Sequence, residues 1–395
     1  MMISVRPGDT LSYYSKLFRI PVNLIEEANP KVDSSNLKVA EKIVIPGYVT
    51  VPYTIQAGNT IWELAITNKI AEDTLFLLNP TKDVDQLKVG ETLFVPEKIV
   101  TPFVKFHSPL NYKRLEKLIQ SFKKVYPFIR VTTIGTSVEG KPIQEIRIGK
   151  GAKKIHINAS FHANEWITTM VLMSIVNNYL LSLTNGTVMN GQKVNQWYED
   201  IELSIVPMVN PDGVDLVVDG PPAKLQRKLI EINDGCDDFI HWKANISGVD
   251  LNNQFPANWD ICRKNKLPKA PAPRDFPGEA PLTEPEAIAM AKLAENNRFD
   301  LIIALHTQGE EFYWGYEGYE PEEAEALAKE IEYFSGYQAI RYVKSHAGYK
   351  DWFIQEFKRP GFTIELGKGI NPLPLSQFPE ILKRGEAIFS AVLSH

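Results

Sequence analysis

Cysteine is scarce in this sequence: the 395 residues include only two, Cys236 and Cys262. Two thiols cannot form the disulfide framework of a small secreted domain, although a single bridge between them stays open. The apolar runs are strand-sized or amphipathic, so no transmembrane helix is predicted. The N-terminus, MMISVRPGDT, lacks a basic region followed by an apolar one. We therefore expect no secretory signal and a cytoplasmic protein at synthesis.

Blocks of one charge sign are absent as well. The chain has 43 lysine and arginine residues against 48 acidic ones, a net charge of −5, and no lysine–arginine run. This balance argues against nucleic acid or an acidic membrane surface as a partner. The hydrophobic share of 44% is typical of globular proteins. The length exceeds that of one ordinary core, so two or three domains are expected.

The N-terminal quarter of the chain contains a duplication. Residues 3–46 align without a gap onto residues 53–96, at a constant offset of fifty. The matched pairs include Gly8 with Gly58, Thr10 with Thr60, Asn29-Pro30 with Asn79-Pro80, and Pro46 with Pro96. Each unit reads as a strand, a helix capped by its threonine, a second short helix and a final strand. The repeat therefore predicts two small βααβ modules.

The repeated pattern, Gly-Asp/Asn-Thr, Asn-Pro, Leu-Lys-Val and a final Pro, resembles the LysM module, which binds glycans containing N-acetylglucosamine. The resemblance implies a peptidoglycan glycan as partner for one or both copies. The alternative is a duplicated structural cap without a ligand. We place the first module at residues 1–47, the second at 52–97, a linker at 98–108 and a larger domain at 109–395.

The larger domain alternates strand and helix patterns. Helical periodicity is present in LNYKRLEKLIQSFKKVY and WITTMVLMSIVNNYLLSL. Strand patterns are IRVTTIG, IQEIRIG, KKIHINASF, IELSIVPMV, LIIALH and FTIEL. This alternation favours an α/β fold, a mixed sheet with helices on both faces.

Chemically useful side chains lie where these strands end. His162 follows KKIHINASF, and Glu165 comes three residues later, while His306 ends LIIALH and Glu365 lies in FTIEL. Strand ends are where ligands converge in such sheets. Two imidazoles and one carboxylate, with an open fourth position, are typical of a catalytic zinc site. Each residue alone is a weak signal, because a histidine at a strand end is usually structural, so the combination is what predicts the site.

Several motifs in a fixed order resemble the zinc carboxypeptidase family across residues 109–395. They are HANEW, PMVNPDGV, GVDLNNQF, PGEAPLTEPEA, LHTQ and FTIELG. The resemblance implies that His162, Glu165 and His306 bind one Zn²⁺ and that Glu365 is the general base. It also implies that Asp250 hydrogen-bonds a ligand histidine and fixes its orientation.

Two departures from the family bear on the substrate. Lys243 follows Trp242 where the family has an arginine that stabilises the oxyanion, and we assign this role to Lys243. Lysine keeps the charge but loses the planar fork. The family's asparagine–arginine pair, which clamps a C-terminal carboxylate, is here Asn252-Asn253. Without that arginine, ordinary trimming of peptide C-termini is not expected.

The remaining site assignments are less direct. Tyr342 matches the family's mobile tyrosine before Asp351-Trp352 if one residue is inserted, and His346 in the same loop is an alternative donor. A differently placed substrate carboxylate has other candidate partners. The candidate substrate-binding residues are Asn252, Asn253, His346 and Arg274, with Arg263 as a further option.

Two LysM-like modules before such a domain point to peptidoglycan stem peptides as substrate. The combination is similar to that of peptidoglycan endopeptidases that cut the bond between γ-D-Glu and a diamino acid, either diaminopimelate or lysine. The missing signal is similar to the sporulation-associated members, which act inside the cell or on the spore wall. Two alternatives stay open: a conventional metallocarboxypeptidase acting on muropeptides or proteins, and a non-catalytic wall-binding protein. The preferred diamino acid and the oligomeric state are not predicted.

Overall fold

The computed structural model describes residues 1–81 and 87–395. Both repeats fold as βααβ modules, as predicted, and the two strands of each pair antiparallel. The first contains β1 (Met2–Ser4), α1 (Leu11–Phe18), α2 (Val22–Ala28) and β2 (Lys42–Val44). The second contains β3 (Tyr48–Thr54), α3 (Ile61–Thr67), α4 (Glu72–Leu78) and β4 (Thr92–Lys98).

The repeated residues have repeated structural roles. Thr10 and Thr60 cap α1 and α3, each accepting a hydrogen bond from a backbone N–H three residues on. The buried Asn29 amide donates to the carbonyls of α2 and β2, and its oxygen accepts from the N–H of Val44. Asn79 makes the same three bonds in the second module. One asparagine thus joins the second helix of each module to its final strand.

The modules are attached to each other and to the larger domain. Arg6 forms a two-pronged ion pair with Asp73 of the second module, at 2.6 and 2.7 Å. The first module shares one continuous hydrophobic core with the larger domain, whereas the second has a small core of its own. Tyr198 of the larger domain donates to Glu27 at 2.5 Å. The first module is therefore packed as part of the larger domain's core.

Gly47 packs closely against the larger domain where the first module joins it. Its N–H donates to the carbonyl of Val125 at 2.8 Å, its φ is +72°, and an added Cβ would lie 2.9 Å from Cβ of Thr184. Gly47→Ala should therefore lower the free energy of unfolding by about 1–3 kcal/mol, from strain and overpacking together. Urea denaturation measures it. Gly8→Ala is the matched control, since φ is +84° there and an added Cβ has open space. Equal losses in both variants would contradict the packing account.

Residues 99–108 contain no helix or strand and lie against the larger domain. The N–H groups of Phe103 and Val104 both donate to Asn177, at 3.1 and 3.0 Å. The Phe103 ring contacts Phe122 and Tyr126. The predicted linker is thus packed against the larger domain, while the bounds of the four predicted segments stay predictions.

An eight-stranded mixed sheet forms the centre of the larger domain, as predicted. The strands of this domain are β5 (Arg130–Thr136), β6 (Pro142–Ile148), β7 (Lys153–Ala159), β8 (Val188–Met189), β9 (Gln192–Lys193), β10 (Ile201–Val206), β11 (Leu301–His306), β12 (Glu311–Tyr313), β13 (Gln338–Ile340) and β14 (Gly361–Glu365). The strand order of the sheet is β13-β12-β14-β11-β7-β10-β6-β5, and β14, β11, β7 and β10 are parallel. The short β12 and β13 were not predicted.

Helices cover both faces of the sheet. Along β11, Leu301, Ile303 and Leu305 belong to one core and Ile302 to the other, since successive side chains alternate faces. The helices are α5 (Tyr112–Val125), α6 (Ile167–Asn185), α7 (Val194–Asp200), α8 (Pro211–Asp219), α9 (Gln226–Ile232), α10 (Trp259–Asn265), α11 (Pro285–Asn297), α12 (Glu323–Ser335), α13 (Tyr349–Phe357) and α14 (Phe378–Ser394). Both cysteines are free thiols, Cys236 exposed and Cys262 buried.

One helix corrects a sequence expectation. The segment 163–185, which includes α6, is long and apolar enough to cross a membrane by length and composition, and 89% of its most apolar window is buried within the protein. The expectation that every apolar run is strand-sized or amphipathic is wrong here. The helix is apolar on most of its surface because it packs between the sheet and α14.

Glu286, in the PGEAPLTEPEA motif, is a fully buried carboxyl. It accepts from the N–H of Val138 at 3.1 Å, and burial, with the charge of Glu284, raises its pKa from 4.5 to about 7. The folded protein thus holds this proton at pH values where the unfolded chain releases it, so stability falls as the pH rises from 4.5 to 7. Glu286→Gln should flatten that part of the melting-temperature profile. Glu295→Gln, on the exposed face of α11, should leave the slope unchanged, and a slope retained in Glu286→Gln would contradict the assignment.

Candidate metal centre

Three adjacent parallel strands bring the candidate residues to one edge of the sheet. In the pairing of β11 with β14, His306 lies opposite Glu365, and β7 pairs with the other side of β11. Three residues after β7 ends, His162 occupies the N-cap position of a short 3-10 helix, Ala163–Glu165, so that Glu165 turns back toward the same point. These residues are far apart in the sequence, but the parallel sheet makes them neighbours.

The three side chains form one cluster of donor atoms. Nδ1 of His162 is 2.8 Å from Oε1 of Glu165, and Nδ1 of His306 is 3.0 Å from Oε2. The two Nδ1 atoms are 3.1 Å apart, and all three side chains are buried. Ligand atoms of the three residues lie within 4.8 Å of one another. Two imidazole nitrogens and a carboxylate that converge in this way suit zinc.

Asp250 supports the cluster from behind. Its Oδ1 lies 3.2 Å from Nε2 of His162, and its Oδ2 lies 3.2 Å from the ammonium of Lys243. Burial alone would raise the pKa of Asp250, but the charges of Lys243 and His162 hold it well below the usual value. An ionised carboxylate at Nε2 keeps the Nδ1 of His162 directed to the cluster. Asp250 thus contacts a ligand histidine, and its role in fixing that ring stays a prediction.

Asn371 is a partner of the cluster that the sequence did not reveal. Its amide lies 3.4 Å from Oε1 of Glu165 and donates to the carbonyl of Thr307 at 2.9 Å. The N–H of Thr307 lies 3.3 Å from Oε2 of the same glutamate. Glu165 is thus held from two sides by backbone and amide donors, which fixes its carboxylate plane.

Glu365 lies at the end of β14, beside the cluster. Burial raises its pKa to about 7, and the charge of Glu165 adds to this, while the charges of His306 and Lys243 oppose it. A carboxyl group with a pKa near 7 at the edge of a cavity has the proton affinity that a general base needs. Its assignment as the base stays a prediction.

Lys243 is close enough to Glu365 for its charge to lower the pKa of that carboxyl. Burial lowers the pKa of its ammonium, but the charges of Asp250, Glu165 and Asp275 outweigh burial and raise it. The lysine is therefore a fixed positive charge with its side chain 20% exposed. Its carbonyl accepts from the N–H of Ala163, at 3.0 Å, so the backbone that carries Lys243 is tied to the segment that carries the metal ligands.

Two cavities flank the cluster, of about 560 and 190 Å³. Lys243, Tyr313 and Glu365 line both and thus form the boundary between them. Tyr313 was missed from sequence because β12 has three residues and no detectable periodicity. The site is therefore open on both sides of the metal position.

The predicted substrate-binding residues divide between the two cavities. Asn252, Asn253 and His346 line the smaller one, and Arg274 lines the larger one. Arg274 bonds to Asp275 at 2.9 Å, and His346 bonds to the hydroxyl of Tyr316 at 3.0 Å.

Tyr342 and Arg263 line neither cavity. Tyr342 is 52% exposed, and its hydroxyl donates to Glu320 at 2.6 Å. Arg263 pairs with Glu279 at 3.0 Å. The structure therefore does not bring Tyr342 to the site in this conformation, and its catalytic role stays a prediction.

A mixed α/β sheet with a buried His–Glu–His cluster at its edge defines a metal-dependent hydrolase. The zinc carboxypeptidase family, Peptidase_M14, matches residues 115–386, and the LysM domain matches residues 3–46 and 53–96. The chain belongs to the zinc carboxypeptidase family and carries two LysM domains. Its zinc ligands are His162, Glu165 and His306.

Known proteins resemble the chain at two levels. Gamma-D-glutamyl-L-diamino acid endopeptidase 1 of Lysinibacillus sphaericus is 49% identical over 395 residues, the full length of both chains. The uncharacterized protein YqgT of Bacillus subtilis (strain 168) is 50% identical over 273 residues, covering 68% of this chain and 72% of that one. The structure of bovine thrombin-activatable fibrinolysis inhibitor has a TM-score of 0.57 at 19% identity, covering 75% of this chain and 98% of that chain. This last likeness shows the fold.

Proposed function

We propose that this chain is a zinc-dependent peptidoglycan hydrolase that cuts stem peptides between γ-D-Glu and the following diamino acid, diaminopimelate or lysine. The observation that carries the proposal is the 49% identity to gamma-D-glutamyl-L-diamino acid endopeptidase 1 along the entire length of both chains. That identity spans both LysM domains as well as the zinc site. A metal centre open on two sides suits a substrate that continues on both sides of the cleaved bond.

The residues around the metal divide the reaction between them. The zinc ion, when bound, supplies Lewis-acid activation of water at neutral pH. Glu365 accepts the proton of the attacking water and later delivers it to the leaving amine. Lys243 places a fixed positive charge where negative charge develops on the carbonyl oxygen. Asp250 holds His162 and Lys243 together through contacts of 3.2 Å each.

In this proposal, each of the two cavities receives one half of the substrate. The smaller cavity contains Asn252 and Asn253, which stand where the family clamps the carboxyl end of its substrate, so it receives the diamino acid. The larger cavity, with Arg274 and His241, then receives the L-Ala-γ-D-Glu half. The γ linkage leaves the α-carboxylate of D-Glu free beside the cut bond, and the Arg274 guanidinium matches that charge.

The choice between endopeptidase and conventional carboxypeptidase rests on position 253. An arginine there would form a two-pronged, charge-assisted bond to a terminal carboxylate, and the asparagine cannot. We expect the zinc-loaded protein to cleave a stem tetrapeptide and to leave a hippuryl dipeptide largely intact. Release of the C-terminal amino acid from the dipeptide, with the stem peptide untouched, would replace this proposal with the carboxypeptidase one.

The LysM domains hold the enzyme on peptidoglycan glycan in this proposal. Tethering raises the local concentration of stem peptides around the zinc site without changing the chemistry. Glu365→Gln protein, which does not degrade its ligand, should co-sediment with insoluble peptidoglycan, and oligomers of N-acetylglucosamine should release it. If these oligomers do not release the protein from peptidoglycan, the modules are better explained as structural caps without a glycan ligand.

A further inference from the structure

The smaller cavity is lined by three lysines, Lys243, Lys266 and Lys350. Two of them have a close carboxylate partner in the same wall. The ammonium of Lys243 lies 3.2 Å from Asp250. The ammonium of Lys350 lies 2.7 Å from Asp351, and its side chain is 4% exposed. Lys350 is thus held by the protein, and Lys243 is assigned to the oxyanion, which leaves Lys266 as the cation to consider for a substrate carboxylate.

Lys266 has one weak ionic partner among the described residues. Its ammonium is 3.7 Å from Oδ1 of Asp275, longer than the roughly 2.7–2.9 Å of a charge-assisted hydrogen bond. Asp275 is also shared, because Arg274 approaches it to 2.9 Å and Lys243 to 3.9 Å. One carboxylate thus serves three cations. The excess positive charge faces the cavity through a side chain that is 33% exposed.

The backbone fixes Lys266 beside Asn253. Lys266 follows α10 directly, and its N–H donates to the carbonyl of Cys262 at 2.9 Å. The Cys262 thiol, buried under the same wall, contacts the amide oxygen of Asn253 at 3.7 Å. An ammonium and a side-chain amide are thereby placed on one cavity wall. This is the wall where the family's arginine is missing.

We propose that Lys266, assisted by Asn253, binds a carboxylate of the departing diamino acid and so replaces the arginine absent from position 253. The inference rests on the proposed function, since it concerns the leaving half of the same substrate. An ammonium recognises a carboxylate as a point charge, without the fixed fork of arginine, so it accepts carboxylates at more than one angle. The carboxylate comes either from the main chain or from the side chain of diaminopimelate.

A substitution series on the full zinc-loaded chain tests the proposal. Lys266→Met should raise KM for a diaminopimelate stem tripeptide by about tenfold or more, the range of one hydrogen bond to a charged group, while kcat changes far less. Lys266→Arg should keep most of the affinity. The matched control is Lys264→Met, an exposed lysine of α10 that does not line the cavity, and it should leave KM unchanged.

Two further substrates identify the carboxylate. If the rise in KM caused by Lys266→Met disappears when the stem tripeptide carries a C-terminal amide, Lys266 binds the main-chain carboxylate. If the rise in KM disappears when lysine replaces diaminopimelate in the tripeptide, Lys266 binds the side-chain carboxylate. A KM equal to that of Lys264→Met on every peptide would overturn the proposal, and so would a penalty that persists on a peptide lacking both carboxylates.

A binding measurement separates this proposal from the proposed function. Free diaminopimelate should bind the wild-type protein about tenfold more tightly than Lys266→Met by calorimetry, which needs no turnover. Equal affinity would remove Lys266 from carboxylate recognition even in an active enzyme. Failure of the wild type to cleave any stem peptide would count against the proposed function, whatever the calorimetry shows.

Discussion

A Glu365→Gln variant is expected to retain one zinc ion per chain and to lose nearly all turnover. Glutamine keeps the size and the polar contacts of glutamate but cannot take a proton from water. Loss of a general base typically lowers kcat by about 10²–10⁴-fold. The zinc ligands are other residues, so metal analysis should show unchanged stoichiometry. Initial rates on a soluble stem peptide give the kcat.

The matched control is Glu310→Gln. The backbone N–H of Glu310 donates to the carbonyl of Glu365 at 2.9 Å, but the Glu310 side chain lines neither cavity. This variant should keep near-wild-type turnover. If Glu365→Gln is as active as the control, Glu365 is not the base, and another group near the metal must take the proton.

Lys243→Met should give the second largest loss. Removing one group that stabilises a developing oxyanion typically costs about 10²–10³-fold in kcat, so we expect a loss in that range with a smaller change in KM. Lys243→Arg should recover part of the rate, because arginine restores the charge. The same kinetic assay, run with zinc analysis, measures the effect.

Zinc content distinguishes two explanations of a low rate in Lys243→Met. Lys243 is paired with Asp250, which also contacts His162, so its removal could disturb the metal site instead of the oxyanion. Full zinc occupancy with a lowered kcat supports the oxyanion role. Unchanged kcat in Lys243→Met would show that the positive charge at this point is dispensable.

The metal ligands and Glu365 were predictable because several signals, each weak alone and local in the sequence, occur in combination. His306 ends an unbroken apolar strand, and Glu365 ends another, so both the buried strands and their ends are visible in the sequence. Parallel neighbours in a sheet end at the same edge, and this rule alone brings the two side chains together. His162 and Glu165 add a three-residue spacing across the junction between a strand and a helix.

The outer parts of the site depended on packing that no periodicity reveals. Tyr313 lies on a three-residue strand, and Lys266 follows a seven-residue helix in an irregular segment. The contact of Lys266 with Asp275 joins two loops whose approach is set by the tertiary structure. The docking of the first LysM domain is of the same kind, since the Tyr198–Glu27 bond crosses two domains.

The most direct test of the proposed function is mass analysis of the products from one defined stem tetrapeptide, L-Ala-γ-D-Glu-diaminopimelate-D-Ala. The zinc-loaded protein should release L-Ala-γ-D-Glu and diaminopimelate-D-Ala in equal amounts, and a chelator should abolish the reaction. These two products report the cut bond and the endopeptidase action together. Release of free D-Ala with an intact tripeptide would instead show a carboxypeptidase and contradict the proposed cleavage site.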